Sequence, residues 1–195
     1  MPEGGLAPSR PGVGVRVLER PRVFVDFEAS ALDANSFPVE VAWSILGEDL
    51  SIRTESHILR PKPQWRRRKW CPNAERVHGL SLDRLEREGE DAEDVWLAFA
   101  LDTGASLPGA EVAVSHVPSD RKWMGDFAAS AGETPPETID VLEVLLASGV
   151  GGDFLAALPF DPEAEFGMAH RAGPDAAMLA VTARRCFRFA NGKAD

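Results

Sequence analysis

The order of apolar and polar positions along the chain sets out an α/β pattern. Val23-Phe24-Val25 is a short apolar run that predicts a buried strand leading into Asp26-Phe27-Glu28. Residues 29–37 are mostly small and polar and read as a loop. Val39 to Leu46 predicts a second strand and Gly47-Glu48-Asp49 a tight turn. The alternation over 51–59, with Ile52 and Ile58 on one face, predicts a third strand that closes a hairpin. Val95, Trp96, Phe99 and Ala100 recur at helical spacing and predict an amphipathic helix over 92–101. A strand over 112–115 and a helix over 121–131, ended by Gly132, come next. The pattern over 138–146 suits strand and helix equally, and a last helix covers 174–189 with Pro174 in its first turn. This order predicts an α/β sandwich built on a mixed sheet.

Composition narrows the picture. With 195 residues, 44% of them hydrophobic, the chain can bury one real core and not two ordinary ones. Acidic residues outnumber basic ones 31 to 21, and a net charge of −10 argues against coating nucleic acid or anionic membrane by bulk charge. No apolar stretch is long enough for a membrane span. The opening MPEGGLAPSRPG lacks a signal-peptide core and reads as a flexible lead-in, so the expectation is a soluble cytoplasmic protein with no membrane partner. Cys71 and Cys186 form no CxxC and no paired framework, which points to a reducing compartment. Two charge blocks stand out. Residues 60–69 hold six basic residues, two prolines and no acid, and read as a loop. Residues 82–94 hold seven acids against two arginines and read as exposed helix surface and connector.

Four constellations carry candidate chemistry. In a strand, Asp26 and Glu28 share one face while Phe27 points to the other. Two acids at the end of a buried strand are costly unless a divalent cation compensates them. Asp-x-Glu recurs at 91/93 and 161/163, but only the first pair follows a hydrophobic strand. His170-Arg171-Ala172-Gly173-Pro174-Asp175 places a His and an Asp five apart at the start of the last helix, where a loop His can serve as a general base. The pair His78 and Asp83 repeats that spacing. Asp120 sits where a strand gives way to a helix, a position also natural for an N-cap. His78-Gly79 closes the segment Ala74 to Ser81 as a turn, with Ser81 a candidate N-cap.

In this order and context the four resemble the DEDDh branch of the DEDD-type 3′→5′ exonucleases, the group of the proofreading subunit of bacterial DNA polymerase III, ribonuclease T and oligoribonuclease. The resemblance runs from about Arg22 to Phe189. Val-Phe-Val-Asp-Phe-Glu-Ala-Ser-Ala-Leu matches the first motif, Ala-Glu-Arg-Val-His-Gly-Leu-Ser the segment between first and second, and His-Arg-Ala-Gly-Pro-Asp-Ala the third, H-x4-D. The second motif departs most: Ser115-His116 and Ser119 stand where the family usually has His-Asn and an apolar residue ahead of Asp120. Asp126 is the poorer alternative, because it lies inside the helix. The resemblance implies a ribonuclease-H-like mixed five-stranded sheet flanked by helices, with a lead-in over 1–20, an exonuclease domain over 21–190 and a short tail over 191–195.

It also implies roles. Asp26, Glu28, Asp120 and Asp175 would hold two Mg²⁺ ions, with Mn²⁺ able to substitute. Asp26 would bridge the ions, Asp175 and Glu28 would serve the nucleophile side, and Asp120 the other side through water. His170 would take the proton of the attacking water, so activity should fall as the imidazole protonates. The branch that uses Tyr instead is excluded, because the chain has no Tyr. Backbone amides at Ala29 and Ser30 would hold the terminal nucleotide, Leu32 would wedge against the last base and His78 would contact the end. Arg66, Arg67, Arg68 and Lys69 are the natural phosphate contacts. Phe37, Trp65 and Trp70 suit base stacking and core packing equally. The expected partners are single-stranded or frayed 3′ ends of DNA or RNA. A homodimer or a separate polymerase chain stays open. Two rivals remain, an exonuclease-fold module that binds nucleic acid or a protein without cutting, and an endonuclease of the same broad fold.

Overall fold

The computed structural model describes residues 22–148, 150 and 170–191. The expected lead-in, residues 151–169 and residues 192–195 of the tail lie outside them. Strand β1 (Val23–Ala29) places Val23, Val25, Phe27 and Ala29 on one face and Phe24, Asp26 and Glu28 on the other. It pairs antiparallel with β2 (Pro38–Leu46), which pairs antiparallel with β3 (Ile52–Ile58). Strand β4 (Glu111–Val114) runs parallel to β1, and β5 (Glu137–Asp140) parallel to β4. The order β3-β2-β1-β4-β5 puts the Asp-x-Glu strand at the centre of the sheet. A central strand is covered on both faces, so its polar residues need a reason.

Among the described residues, α-helices flank the sheet on both sides. Between β3 and β4 come α1 (Pro72–His78), α2 (Leu82–Glu88) and α3 (Ala92–Thr103); α4 (Val117–Ser130) follows β4. Helices α3 and α4 pack Val95, Trp96, Phe99, Trp123, Met124 and Phe127 against Val25, Phe27, Val41 and Trp43. Fully burying each large apolar side chain contributes roughly 1.5–3 kcal/mol, so this layer dominates the core. The opposite face is covered by α5 (Val141–Ala147) and α6 (Ala172–Ala190), through Val144, Leu145, Leu179, Ala180, Ala183 and Cys186 on Phe24, Leu46 and Ala113.

Four differences from the expected elements have physical causes. Helix α4 begins at Val117 rather than 121, because Pro118 falls in its first turn, where the missing N–H costs nothing. Helix α6 likewise starts at Ala172, ahead of Pro174. The ambiguous 138–146 stretch is both elements in succession: Asp140 ends β5 and caps α5 by accepting the Leu142 N–H at 2.8 Å. The basic 60–69 stretch holds a single 3₁₀ turn at Trp65–Arg67, anchored by buried Trp65.

The start of α6 approaches the sheet closely. Ala42, Ala172 and Ala176 form a small buried cluster there, and a Cβ on Gly173 would stand 3.2 Å from Ser56 Cβ. Only small side chains fit this contact. Ala42→Leu should therefore cost about 1–3 kcal/mol by overpacking. Urea denaturation checks this, and an unchanged midpoint would contradict the close contact.

Candidate active site

The parallel strands β1 and β4 end side by side, and the site lies just beyond their carboxyl ends, where α4 and α6 begin. On β1, Asp26 stands opposite Ala42 and Glu28 opposite Glu40, all on the face that α6 covers. The small Ala42 leaves room for the first turn of α6 to bring Asp175 over the strand. One carboxylate oxygen from each of Asp26, Glu28 and Asp175 lies within 4.8 Å of the others.

Asp120 enters from the first turn of α4. Its side chain is buried, and its Oδ2 accepts the backbone N–H of His116 at 2.8 Å. Contrary to the N-cap expectation, His116 is the N-cap of α4, and Asp120 lies one turn inside the helix, where its carboxylate reaches back to the His116 N–H and its charge acts on Asp26. Asp175 repeats the device on α6, where it accepts the backbone N–H of His170.

The electrostatics are those of an unneutralised anionic cluster. Burial raises Asp26 well above the ordinary carboxylate range, and Asp120, Asp175, Glu28 and Glu40 each raise it further. Burial, then Asp175 and Glu40, pushes Glu28 up to about 8, with Arg171 opposing. Burial lifts Asp120 to about 6 against the His116 N–H and imidazole. Burial also raises Asp175, against the backbone N–H and ring of His170. An all-oxygen donor set with surplus negative charge suits a hard divalent cation, and Asp26, Glu28 and Asp175 have the spacing to hold one.

His170 is exposed at the rim of this cluster, with a left-handed backbone (φ 67°) unusual for a residue with a side chain. His78 is buried behind the loop after β1. Its Nδ1 accepts the Leu80 N–H at 3.0 Å, which leaves the proton on Nε2. In the same loop the Ser30 N–H is committed to the Phe37 carbonyl at 2.9 Å, and the Ser30 carbonyl accepts the Cys71 N–H at 2.8 Å. Ala29 ends β1 and Ser30 begins the loop, both buried, whereas Leu32 beside them is 90% exposed.

The basic loop is largely neutralised from within. Arg66 pairs with Glu86 at 2.8 Å, Arg68 with Asp126, and Lys69 with Asp33 at 2.6 Å. Among the described residues Arg67 makes no ion pair and is exposed. Asp126 also binds Lys122, so it belongs to this ionic strut and not to the carboxylate cluster. Trp65 and Phe37 are buried and stacked on each other at 6.1 Å, and Trp70 packs on Phe37. Phe37 and Trp65 are core, whereas Trp70 is only half-buried against it.

Sequence reading missed Glu40 and Arg171. Glu40 is 1% exposed beneath the cluster and accepts Arg171 Nε at 2.8 Å and Nη2 at 2.6 Å. A charge inside the apolar run Pro38-Val39-Glu40-Val41-Ala42-Trp43 was its signal.

A scan of protein-family models finds no match to the chain, and a search of curated proteins finds none either. Solved structures do match. The nuclease domain of 3'hExo, a DEDDh family member bound to rAMP, is 15% identical with a TM-score of 0.65, over 88% of this chain and 94% of its own. Zinc-bound E. coli exonuclease I with single-stranded DNA is 16% identical with a TM-score of 0.59, over 86% of this chain and 42% of its own. Cell-death related nuclease 4 is 14% identical with a TM-score of 0.57, over 86% and 63%. The chain therefore spans less than half the length of the exonuclease I chain. The shared feature is the fold, a ribonuclease-H-like mixed sheet of the DEDDh exonuclease type. None of the described helices is long and apolar enough to cross a membrane.

The raised carboxyls dictate a pH dependence of stability. A carboxyl that binds its proton more tightly when folded leaves stability intact below its ordinary value of 4.5 and erodes it as pH rises toward about 8, the folded value of Glu28. Metal-free protein should melt at progressively lower temperature across that window. Mn²⁺ should restore the loss at its upper end and do little at its lower end, and Glu28→Gln should flatten the profile. Thermal melts with and without the ion check this, and a flat metal-free profile for the wild type would refute it.

Proposed function

We propose that the chain is a metal-dependent 3′→5′ exonuclease that hydrolyses phosphodiester bonds at the 3′ ends of DNA or RNA and releases 5′-mononucleotides. The observation that carries this reading is the convergence of Asp26, Glu28 and Asp175, beside Asp120, at the ends of the two parallel central strands. Two Mg²⁺ ions bound there, or Mn²⁺ in their place, supply activation of a water and stabilisation of the leaving oxygen. Asp26, at the centre of the sheet, would be shared by the ions, because the charges of all its acidic neighbours act on it. Glu28 and Asp175 complete its side of the site, and Asp120 serves the other. His170, exposed at the rim, accepts the proton of the attacking water. Its backbone N–H on Asp175 ties the base to that side of the cluster.

Single-stranded or frayed ends are the substrate this reading favours. The exposed Leu32 can wedge against a terminal base, and exposed Arg67 offers a phosphate contact. Buried His78 supports the loop behind the end. Exonuclease I, one of the structural neighbours, is seen with single-stranded DNA. The catalytic unit so proposed spans residues 21–190. The charge of Asp120 acts on Asp26, which supports its place beside the site, while Asp26, Glu28 and Asp175 are the acids with the spacing to share one ion.

With Mg²⁺ or Mn²⁺, purified protein should release mononucleotides from the 3′ ends of oligonucleotides labelled at the 5′ end. Asp26→Asn should leave no measurable cleavage. His170→Ala should lower kcat by about 10²–10⁴-fold, the usual contribution of a general base. Wild-type protein inactive with both ions on DNA and RNA alike would sink the proposal.

A further inference from the structure

The Glu40 carboxylate lies beneath the acidic cluster, directly across the β1–β2 pair from Glu28. It is saturated with donors. Besides the two Arg171 bonds, it accepts the Ala172 N–H at 3.1 Å and the Ser56 hydroxyl at 3.0 Å. Three of these four bonds come from the residues that begin α6. The same residues separate His170 from Asp175.

This placement is a poor way to gain stability. A buried ion pair loses much of its attraction to desolvation, and an apolar pair of similar size is often as stable. Glu40 also adds negative charge next to carboxylates that already repel one another. What the pair does supply is geometry. The planar guanidinium meets the carboxylate through two parallel bonds, which fixes direction as well as distance. The residue before Arg171 is His170, whose left-handed backbone needs its surroundings to hold it. One turn after Arg171, Asp175 donates its backbone N–H to the Arg171 carbonyl at 3.1 Å.

We infer that Glu40 and Arg171 are positioning residues, a clamp of a buried carboxylate and a half-buried guanidinium that holds His170 and Asp175 against the carboxylates of β1. The clamp acts through those residues and touches no reacting atom. Its catalytic consequence rests on the nuclease reading above, whereas its consequence for cation binding requires only the metal centre. Neighbours that orient metal ligands typically account for about 10–100-fold in affinity or activity.

The test compares Arg171→Met, Arg171→Lys and Glu40→Gln with Leu179→Ala, which truncates α6 further along the same face. Mn²⁺ affinity is read by electron paramagnetic resonance of the free ion, folding by circular dichroism, and turnover on a labelled oligonucleotide. Arg171→Met and Glu40→Gln should weaken Mn²⁺ binding by about ten-fold or more. In both, kcat at saturating Mn²⁺ should fall by a similar factor with little change in KM. Arg171→Lys should recover part of both losses. Leu179→Ala should lower the melting temperature and leave Mn²⁺ affinity unchanged.

Wild-type affinity in Arg171→Met, or equal loss in Leu179→Ala, overturns the inference. If Arg171→Met does not fold, Arg171→Lys and Ser56→Ala carry the test, and unchanged affinity in both overturns it. A wild-type protein that binds Mn²⁺ yet cuts nothing refutes the nuclease reading alone, and Mn²⁺ affinity still decides the clamp. A wild-type protein that binds no Mn²⁺ overturns both.

Discussion

Three carboxylates, Asp26, Glu28 and Asp175, share one small space at the centre of this sheet, with the charge of Asp120 acting on Asp26 from beside them, and this repulsion governs how the rest is built. Two ionised groups about 5 Å apart repel by about 3 kcal/mol at an effective dielectric near 20. Asp26 feels that repulsion from several directions at once, on top of burial. A fold that gathers such charges must hold them on rigid elements, or they would drift apart. Here Asp26 and Glu28 stand on a strand with neighbours on both sides, and Asp120 and Asp175 on helices packed to the sheet's two faces.

The two helices solve the problem in the same way. Each begins just beyond a strand end or loop, and each carries its acid near the N-terminus, where the helix dipole and free N–H groups favour negative charge. Asp120 takes the His116 N–H and Asp175 the His170 N–H. These bonds lower both carboxyls against the burial that raises them. The acids that face the site are therefore also the acids that start the helices. Asp126, two turns into α4, lacks that advantage and is spent on Arg68 and Lys122.

What could be read from the sequence followed from local pattern. Alternation along 23–29 put Asp26 and Glu28 on one face, and His170 and Asp175 were legible because their spacing spans one loop-to-helix transition. Asp120 was legible as a helix start although its flanking residues depart from the family. What stayed hidden was partnership between distant positions. Arg66, Arg68 and Lys69 form a block of like charge that seemed free, yet their partners Glu86, Asp126 and Asp33 come from three other segments. Phe37 and Trp65 suited packing and base stacking equally until the loop closed them on each other. Glu40 and Arg171, 131 residues apart, could not be paired from pattern at all.

That internal pairing reshapes the meaning of the net charge of −10. Once most of the basic loop is paired with acids of the same chain, that loop offers no free cationic track along which a polyanion would slide. On the nuclease reading, attraction for nucleic acid would then be local. Charges on the surface are screened beyond about 10 Å at ordinary ionic strength, and several acids of 82–94 are themselves paired with the basic loop, Glu86 with Arg66 and Glu93 with Lys62. Two divalent cations among four carboxylates would cancel their charge and present the phosphate with a focused cationic spot. On the nuclease reading the protein would grip one end of a strand at a point rather than cover a length of it, and some of the same acids that make the chain anionic would make that point.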